Sequence, residues 1–514
     1  MRNLALALLL AAGSAALAAF SEEPPARTAR LAYIEGAVSV HQDPDADWDE
    51  GLVNMPLTSG SSVWVDHASR AEVRVSGLAL RLAEWSQLDI SRLDDDMADA
   101  TVAAGSASVR VRYKQREERF LVGTPQAAFF LDADGTYRID FDPQHDESRL
   151  TVTSGSAHME SENGDVIVAA GRMLRVLGPS STSYAIEGAP GADEFDRWAQ
   201  SRDARWSDVA SRRYVSPYMT GFEDLDASGN WSSDPDYGPV WMPSGVAAGW
   251  APYSEGRWVY VQPWGWSWVD SAPWGYAPFH YGRWVLVRGR WAWSPGMRVD
   301  RPVYAPALVA WIGGADWHAG ASRPAVGWYP LAPWETYHPW YRASGGYADR
   351  VNVSVTVRER PPRDWKGNGD EWRNWNRDRA TTVVSRDALL QGRAVQQARL
   401  QVDAASLRRQ PVVAAAQVSS VLPPREEIAR TRSVARTPPA SAATAPAHRD
   451  MAREAQRSQE RAVRDAQDQR AAQQRDLQGR EPQQRDLRDA ISREPDPELR
   501  KLANQALVDI QKSP

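Results

Sequence analysis

A tripeptide, Gly-x-Trp, repeated at a nearly fixed interval, constrains this chain more than any other feature. Gly229-Asn230-Trp231, Gly256-Arg257-Trp258 and Gly282-Arg283-Trp284 begin 27 and 26 residues apart, and nine or ten residues after each tryptophan comes a second: Trp241, Trp268 and Trp293. The second and third units align further, Gly249-Trp250-Ala251-Pro252-Tyr253 with Gly275-Tyr276-Ala277-Pro278-Phe279 and Trp266-x-Trp268 with Trp291-x-Trp293. Gly327-Trp328-Tyr329-Pro330 reads as a decayed further copy. Self-similarity at such a period marks supersecondary units that bury their apolar faces against one another. Within a unit the period is two, as in Trp264-x-Trp266-x-Trp268, so one face of a strand carries the indoles. Each unit is therefore expected to be a β-hairpin, and the whole a small barrel, sandwich or solenoid.

Residues 214–340 hold 16 of the 24 tryptophans. One reading makes them the core, since each indole buries about 150–250 Å² and the segment is poor in Leu and Ile. The other makes them an aromatic platform for sugar rings or proline-rich peptide. Sixteen are more than one small core hides easily, so both readings apply to different residues. Those beside arginine and polar residues are the candidates for exposure: Trp250, Trp264, Trp274 and Trp291, with Arg257, Arg283 and Arg290 placed to stack on them.

The other segments set the context. Residues 1–19 (Arg2, the apolar run Leu4–Ala12, then Ala16-x-Ala18) have the form of a signal peptide cut after Ala18 or Ala19. No stretch of about 20 apolar residues follows, so the mature chain is expected in the periplasm or outside the cell, without a transmembrane segment. The absence of cysteine excludes disulfides and thiolate chemistry. Residues 20–210 are acidic, with 33 Asp/Glu against 18 Lys/Arg, whereas residues 350–514 carry 31 Lys/Arg against 22 Asp/Glu. That basic end reads as a solvated arginine-rich tail ahead of a contact with anionic lipid, polysaccharide or peptidoglycan, and nucleic acid is not an expected partner of an exported chain.

Residues 28–180 alternate in the manner of half-buried strands, as in Ala71-x-Val73-x-Val75 and Tyr137-x-Ile139, with Gly-marked turns between them. Gly36-x-Val38, Pro56-Leu57-x-Ser59-Gly60, Arg70-Ala71-Glu72-Val73, Leu80-Arg81-Leu82, Ala104-Gly105-Ser106, Thr124-Pro125 and Val152-x-Ser154-Gly155-x-Ala157 resemble a FecR-type domain. That resemblance implies a β-rich envelope module. The signalling members carry a cytoplasmic anti-sigma segment and a membrane helix ahead of it; here a signal peptide stands there, so their role is not carried over. Tyr214-Val215-Ser216-Pro217, Tyr237-Gly238-Pro239-Val240-Trp241 and Ala272-Pro273-Trp274-Gly275 resemble an uncharacterised family found directly after FecR-like domains in proteobacterial envelope proteins.

The expected architecture is mainly β. The FecR-like sandwich or solenoid (28–180) is followed by a short helical linker (190–213), with Asp193 or Asp196 as cap and Phe195, Trp198 and Ala199 on its apolar face. The Trp-rich module occupies 214–357, a low-complexity linker 358–448, and a charged helical or disordered tail 449–514. Asp496 and Pro497 open a last helix there.

No HExxH, G-x-S-x-G, P-loop or dinucleotide fingerprint occurs, so no catalytic residue, metal or cofactor is assigned. His280, His318 and His338 could meet as a metal site, but a histidine among aromatics reads first as packed core. Glu223, Asp224, Asp226 and Asp270 are the acids close to the repeat by sequence; a sugar-cleaving pair is weighed against turn-forming aspartates. The leading expectation is a non-enzymatic exported binding or scaffold protein whose partner is cell-wall polysaccharide, peptidoglycan or an envelope protein. A FecR-type sensor and, third, a glycan hydrolase with Glu223 and Asp270 are the alternatives.

Overall fold

Alternating apolar residues between Ala29 and Gly188 form the strands of a two-layered sandwich, and Gly135–Asp142 shows the pattern most plainly, each buried residue followed by a half-buried one. The computed structural model describes residues 23–432 apart from 44–46, 162–163, 179–182, 207–208, 315, 321–323, 354 and 356–373, and then residues 495–499 and 501. The signal-peptide segment and nearly all of the tail lie outside the described residues.

The two layers share one strand. In Met97–Val111, residues 98–104 pair with Ser86–Leu93 in one sheet, and residues 105–111 pair with Leu78–Leu82 and Gly135–Asp142 in the other. The crossover falls at Gly105, where φ is +77° and a Cβ would lie 2.4 Å from Ser86 Oγ, so a glycine is required. Val63, Val65 and Leu88 of one layer meet Val73, Leu80 and Ile139 of the other in a single apolar core. Strands continue to Gly188, past the expected limit of 180.

Helix Glu194–Ala204 follows. Asp193 caps it in a reciprocal box with Asp196, and Phe195 and Ala199 are buried.

In the Trp-rich module each repeat is a β-hairpin. Gly229–Asp234 pairs with Gly238–Pro243, Gly256–Val261 with Gly265–Asp270, and Arg283–Val287 with Arg290–Ser294. A fourth hairpin, Val309–Ile312 with Ala325–Pro330, replaces the copy expected to open at Gly327. The hairpins form neither a barrel nor a simple stack. The first and third share a four-stranded sheet through Trp241 opposite Trp293, while the second stands apart as a two-stranded ribbon.

The segment expected to be a low-complexity linker is built into this module over residues 374–432. Strand Thr382–Ser385 extends the fourth hairpin's sheet, and Val384, Leu389, Leu390, Val395, Val421 and Leu422 are buried in the tryptophan core. Its helices Arg386–Leu390, Val395–Ala398 and Val418–Val421 have only four or five residues, too short to print a 3.6-residue period, which is why composition alone reads as disorder. The sandwich, helix and Trp-rich module belong to one compact unit, and Ala447–Pro514 form a second. In the second unit the Asp496 carboxylate accepts the Glu498 N–H at 2.9 Å, as a helix cap does.

Candidate functional site

The two tryptophans of each repeat are cross-strand partners: Trp231 opposite Trp241, Trp258 opposite Trp268, Trp284 opposite Trp293, and in the fourth hairpin Trp311 opposite Trp328. The nine- or ten-residue spacing is thus the length of a hairpin. The glycine two places before the first tryptophan has a steric cause. A Cβ on Gly229, Gly256 or Gly282 would come within 2.4–2.6 Å of the indole of Trp241, Trp268 or Trp293. The second indole lies across the glycine, so Gly-x-Trp and the later Trp form one device.

The second and fourth hairpins interlock. The Trp258 ring lies 5.4 Å from Trp268, 4.7 Å from Trp311 and 5.4 Å from Trp328, in tilted or edge-to-face contact. Trp241, Trp258, Trp264, Trp268, Trp284, Trp293 and Trp328 are all less than 2% exposed. Indole N–H groups tie this core to the chain, Trp241 donating to the Leu225 carbonyl, Trp293 to Tyr281 and Trp328 to Tyr253.

Of the six residues expected to form an aromatic platform, three are interior. Trp264 is 1% exposed and donates to the Tyr347 hydroxyl; Trp274 is 5% exposed and stacks on Phe279. Arg283 is buried, its guanidinium donating to the Gly282 and Glu335 carbonyls and to Asn352 Oδ1. Small polar neighbours in sequence do not imply exposure where the strand's other face is also covered. Trp250, Trp291 and Arg257 are half-buried. Trp250 packs edge-on against Trp274 and Trp284.

Three of the four acids near the repeat, Asp224, Asp226 and Asp270, are committed to structure. Asp226 accepts the Ala210 and Ser211 N–H groups at the start of a 3₁₀ turn. Asp270 accepts the Ala272 N–H at 2.9 Å and the Trp268 indole N–H at 3.0 Å. Burial pushes its carboxyl up to about 8. Asp224 pairs with Arg30, and burial holds Glu223, behind Arg74 and Arg30, above the ordinary carboxylate range. His280 is a core histidine, its Nδ1 2.8 Å from the Ala305 carbonyl and its pKa depressed by burial to about 3.

A charged layer joins the modules. Glu72, fully buried on the outer face of the sandwich, accepts from Arg74, from Arg81 at 3.1 Å and from Arg202 at 2.8 Å. Burial alone would raise its pKa, but the three guanidinium groups outweigh it and hold the carboxylate at about 2. Asn54, wholly buried, accepts from Arg30 and donates to the Asp270 and Ala272 carbonyls, stitching sandwich to repeat.

Among the described residues, one cleft of about 410 Å³ lies beside the fourth hairpin, within the usual range of ligand sites. The half-buried Trp334 is its aromatic surface, with the buried Trp311 and Tyr329 behind the wall; Glu335, His338 and Asn374 supply polar groups, and residues 412–415 of the C-terminal segment close one side. The backbone of that segment is fixed by the Val413 N–H donating to the Trp311 carbonyl at 2.8 Å. Sequence reasoning singled out His338 but not Glu335, whose position directly after Trp334 was the available signal.

With the geometry in place, the class is a mainly β, two-module chain carrying a tryptophan-hairpin domain. Residues 222–335 match a family of unknown function, DUF6600. No curated protein matches the chain. Among solved structures, two of a protein described as an anti-sigma factor from Parabacteroides distasonis are similar in part. One is 15% identical, covering 27% of this chain and 64% of that one, with a TM-score of 0.24. The other is 14% identical, covering 36% of this chain and 99% of that one, also with a TM-score of 0.24. Among the described residues no helix is long and apolar enough to cross a membrane.

Proposed function

We propose that this chain is an exported, non-enzymatic binding scaffold of the bacterial cell envelope, in which a FecR-like sandwich and the tryptophan-hairpin module act as one body on a cell-wall glycan or an envelope protein. The observation that carries the reading is the joint between the modules. Asn54 and the Glu72–arginine cluster are buried between elements far apart in sequence, an arrangement that holds two surfaces at a fixed angle. Asp224, Asp226 and Asp270, first considered for catalysis, are engaged in that joint or in turns, while a cleft by Trp334 is open to a ligand. The signal-peptide pattern ending at Ala18 or Ala19 supports the envelope address.

The test is co-sedimentation of the purified mature chain with peptidoglycan sacculi and with envelope polysaccharide, alongside cell fractionation. Saturable retention on one of them and recovery from the periplasm or medium are expected. Absence of retention on every fraction, or a cytoplasmic location, would overturn the proposal.

A further inference from the structure

We propose that strand Tyr184–Gly188, the last of the sandwich, is a self-association edge: two copies of this chain pair these strands antiparallel across a two-fold axis at Ile186. Among the described residues the strand pairs on one side only, with Arg172–Leu177, and all five of its residues are exposed. At its two ends the Leu177 N–H donates to the Ser183 carbonyl at 3.0 Å and the Ala189 N–H to the Gly171 carbonyl at 2.9 Å. Antiparallel partners alternate between bonded and unbonded pairs, so Ala185 and Glu187 bond inward. The main-chain groups of Tyr184, Ile186 and Gly188 are therefore directed at the open edge, where the Ile186 carbonyl accepts from the exposed Arg172 guanidinium at 3.3 Å.

Three features fit a second copy. First, these three residues are symmetric about Ile186. A two-fold pairing sets Ile186 against Ile186 and Tyr184 against Gly188, and every outward N–H and C=O gains a partner. Second, the same residues lie on the core-facing side of the sheet. Ile139, Leu150, Leu174 and Ile186 form one row across four strands, the first three fully buried and Ile186 38% exposed. A second copy continues that row through its own Ile186. Tyr184, 43% exposed, then crosses Gly188 of the second copy. Gly188 has no positive φ and a Cβ there would meet nothing within 4 Å, so no contact among the described residues requires a glycine. Third, the opposite face is complementary in charge. Arg149 and Arg175 stand in a row that ends at Ala185, and the pairing brings Glu187 of the second copy beside Ala185, extending the ion pair that Arg175 makes with Glu147. Five residues a side bury less than the about 1,200–2,000 Å² of a standard interface, so the dimer is weak, with a dissociation constant of about 10–100 μM.

The experiment follows the full mature chain by sedimentation equilibrium from about 1 to 300 μM, where a concentration-dependent monomer–dimer equilibrium is expected. Ile186→Lys should weaken it by about tenfold or more, because two ammonium groups would meet at the axis, with the unfolding midpoint of the dilute chain unchanged. The chain has no cysteine of its own, so single-cysteine variants report the register. In the proposed pairing the Ile186 α-carbons of the two copies lie about 5.5 Å apart, within disulfide reach. Ile186→Cys should cross-link under diamide about tenfold faster, or more, than Ile167→Cys, whose site is 71% exposed but on the outward face of the other sheet. A monomer throughout that range, a dimer unaffected by Ile186→Lys, or equal cross-linking at the two cysteines would overturn the proposal. A monomer whose residues 184–188 gain protection from amide exchange only when envelope protein is added would assign the edge to another partner, and would equally overturn it.

Discussion

Trp268 stands directly across the strand pair from Trp258, with ring centroids 5.4 Å apart, and its indole lies where a side chain on Gly256 would have to be. This one relationship accounts for both halves of the repeat: the glycine makes room and the tryptophan occupies it. The corresponding glycines Gly229 and Gly282 meet Trp241 and Trp293 in the same way.

Gly256→Ala should therefore destabilise the module through overpacking alone. The new Cβ would meet Trp268 Cζ2 at 2.6 Å and the Val269 carbonyl at 2.4 Å, and Gly256 has no positive φ to confuse the reading. A loss of about 1–3 kcal/mol is expected by denaturant unfolding. Gly188→Ala, whose Cβ would meet nothing within 4 Å, serves as the neutral control. Equal midpoints for the two variants would show that the indole does not rest on the glycine.

Trp268→Ala removes a fully buried indole and should cost about 3–5 kcal/mol, against well under that for the half-buried Trp291→Ala. Comparable losses at the two sites would contradict the burial pattern.

Glu72→Ala should cost about 3–5 kcal/mol, because Arg74, Arg81 and Arg202 would be left facing one another without their carboxylate. The pH dependence carries the same information. The folded pKa of Glu72 lies below its usual value of 4.5, at about 2, so its contribution is present above about pH 4.5 and is lost as pH falls toward 2. Thermal unfolding followed down to about pH 3 should show a loss in the native chain that is weaker in Glu72→Gln.

Asp270 acts with the opposite sign. Its folded pKa is raised from the usual 3.8 to about 8, so the folded chain keeps a proton that the unfolded chain releases, and stability falls as pH rises between those values. Glu335, raised to about 8, adds to the same slope. Asp270→Asn should flatten the decline between about pH 5 and pH 8 by an amount on the order of a few kcal/mol. An unchanged slope would mean that the carboxyl is not held neutral.

The hairpins were legible because two periods coincide, 26–27 residues between repeats and two within each strand. The partnership of hairpins was not. The first and third share a sheet and the second and fourth interlock, an order decided by which indole faces fit and not by local sequence. Exposure was misread at Trp264, Trp274 and Arg283, since residues 264 and 347, or 283 and 352, are brought together only by tertiary packing. The cleft was hidden for a related reason: one side comes from residues 412–415, in a segment whose composition suggests disorder.

That segment gives a further expectation. Asn376 is fully buried and its amide donates to the Trp284 carbonyl at 2.8 Å and to the Pro330 carbonyl at 3.0 Å. Asn376→Leu leaves both acceptors unsatisfied and should cost about 2–4 kcal/mol, with faster limited proteolysis between residues 374 and 432. Unaltered proteolysis would indicate that the segment is not held by this contact.

The central claim is that the repeated tryptophans are a core of cross-strand pairs, and oxidative footprinting of the native chain, read tryptophan by tryptophan, tests it most directly. Trp241, Trp258, Trp268, Trp293 and Trp328 should be protected, Trp250, Trp291 and Trp334 should react at intermediate rates, and Trp85, 45% exposed, should react fastest. Oxidation of Trp268 and Trp293 at the rate of Trp85 in the folded chain would contradict it.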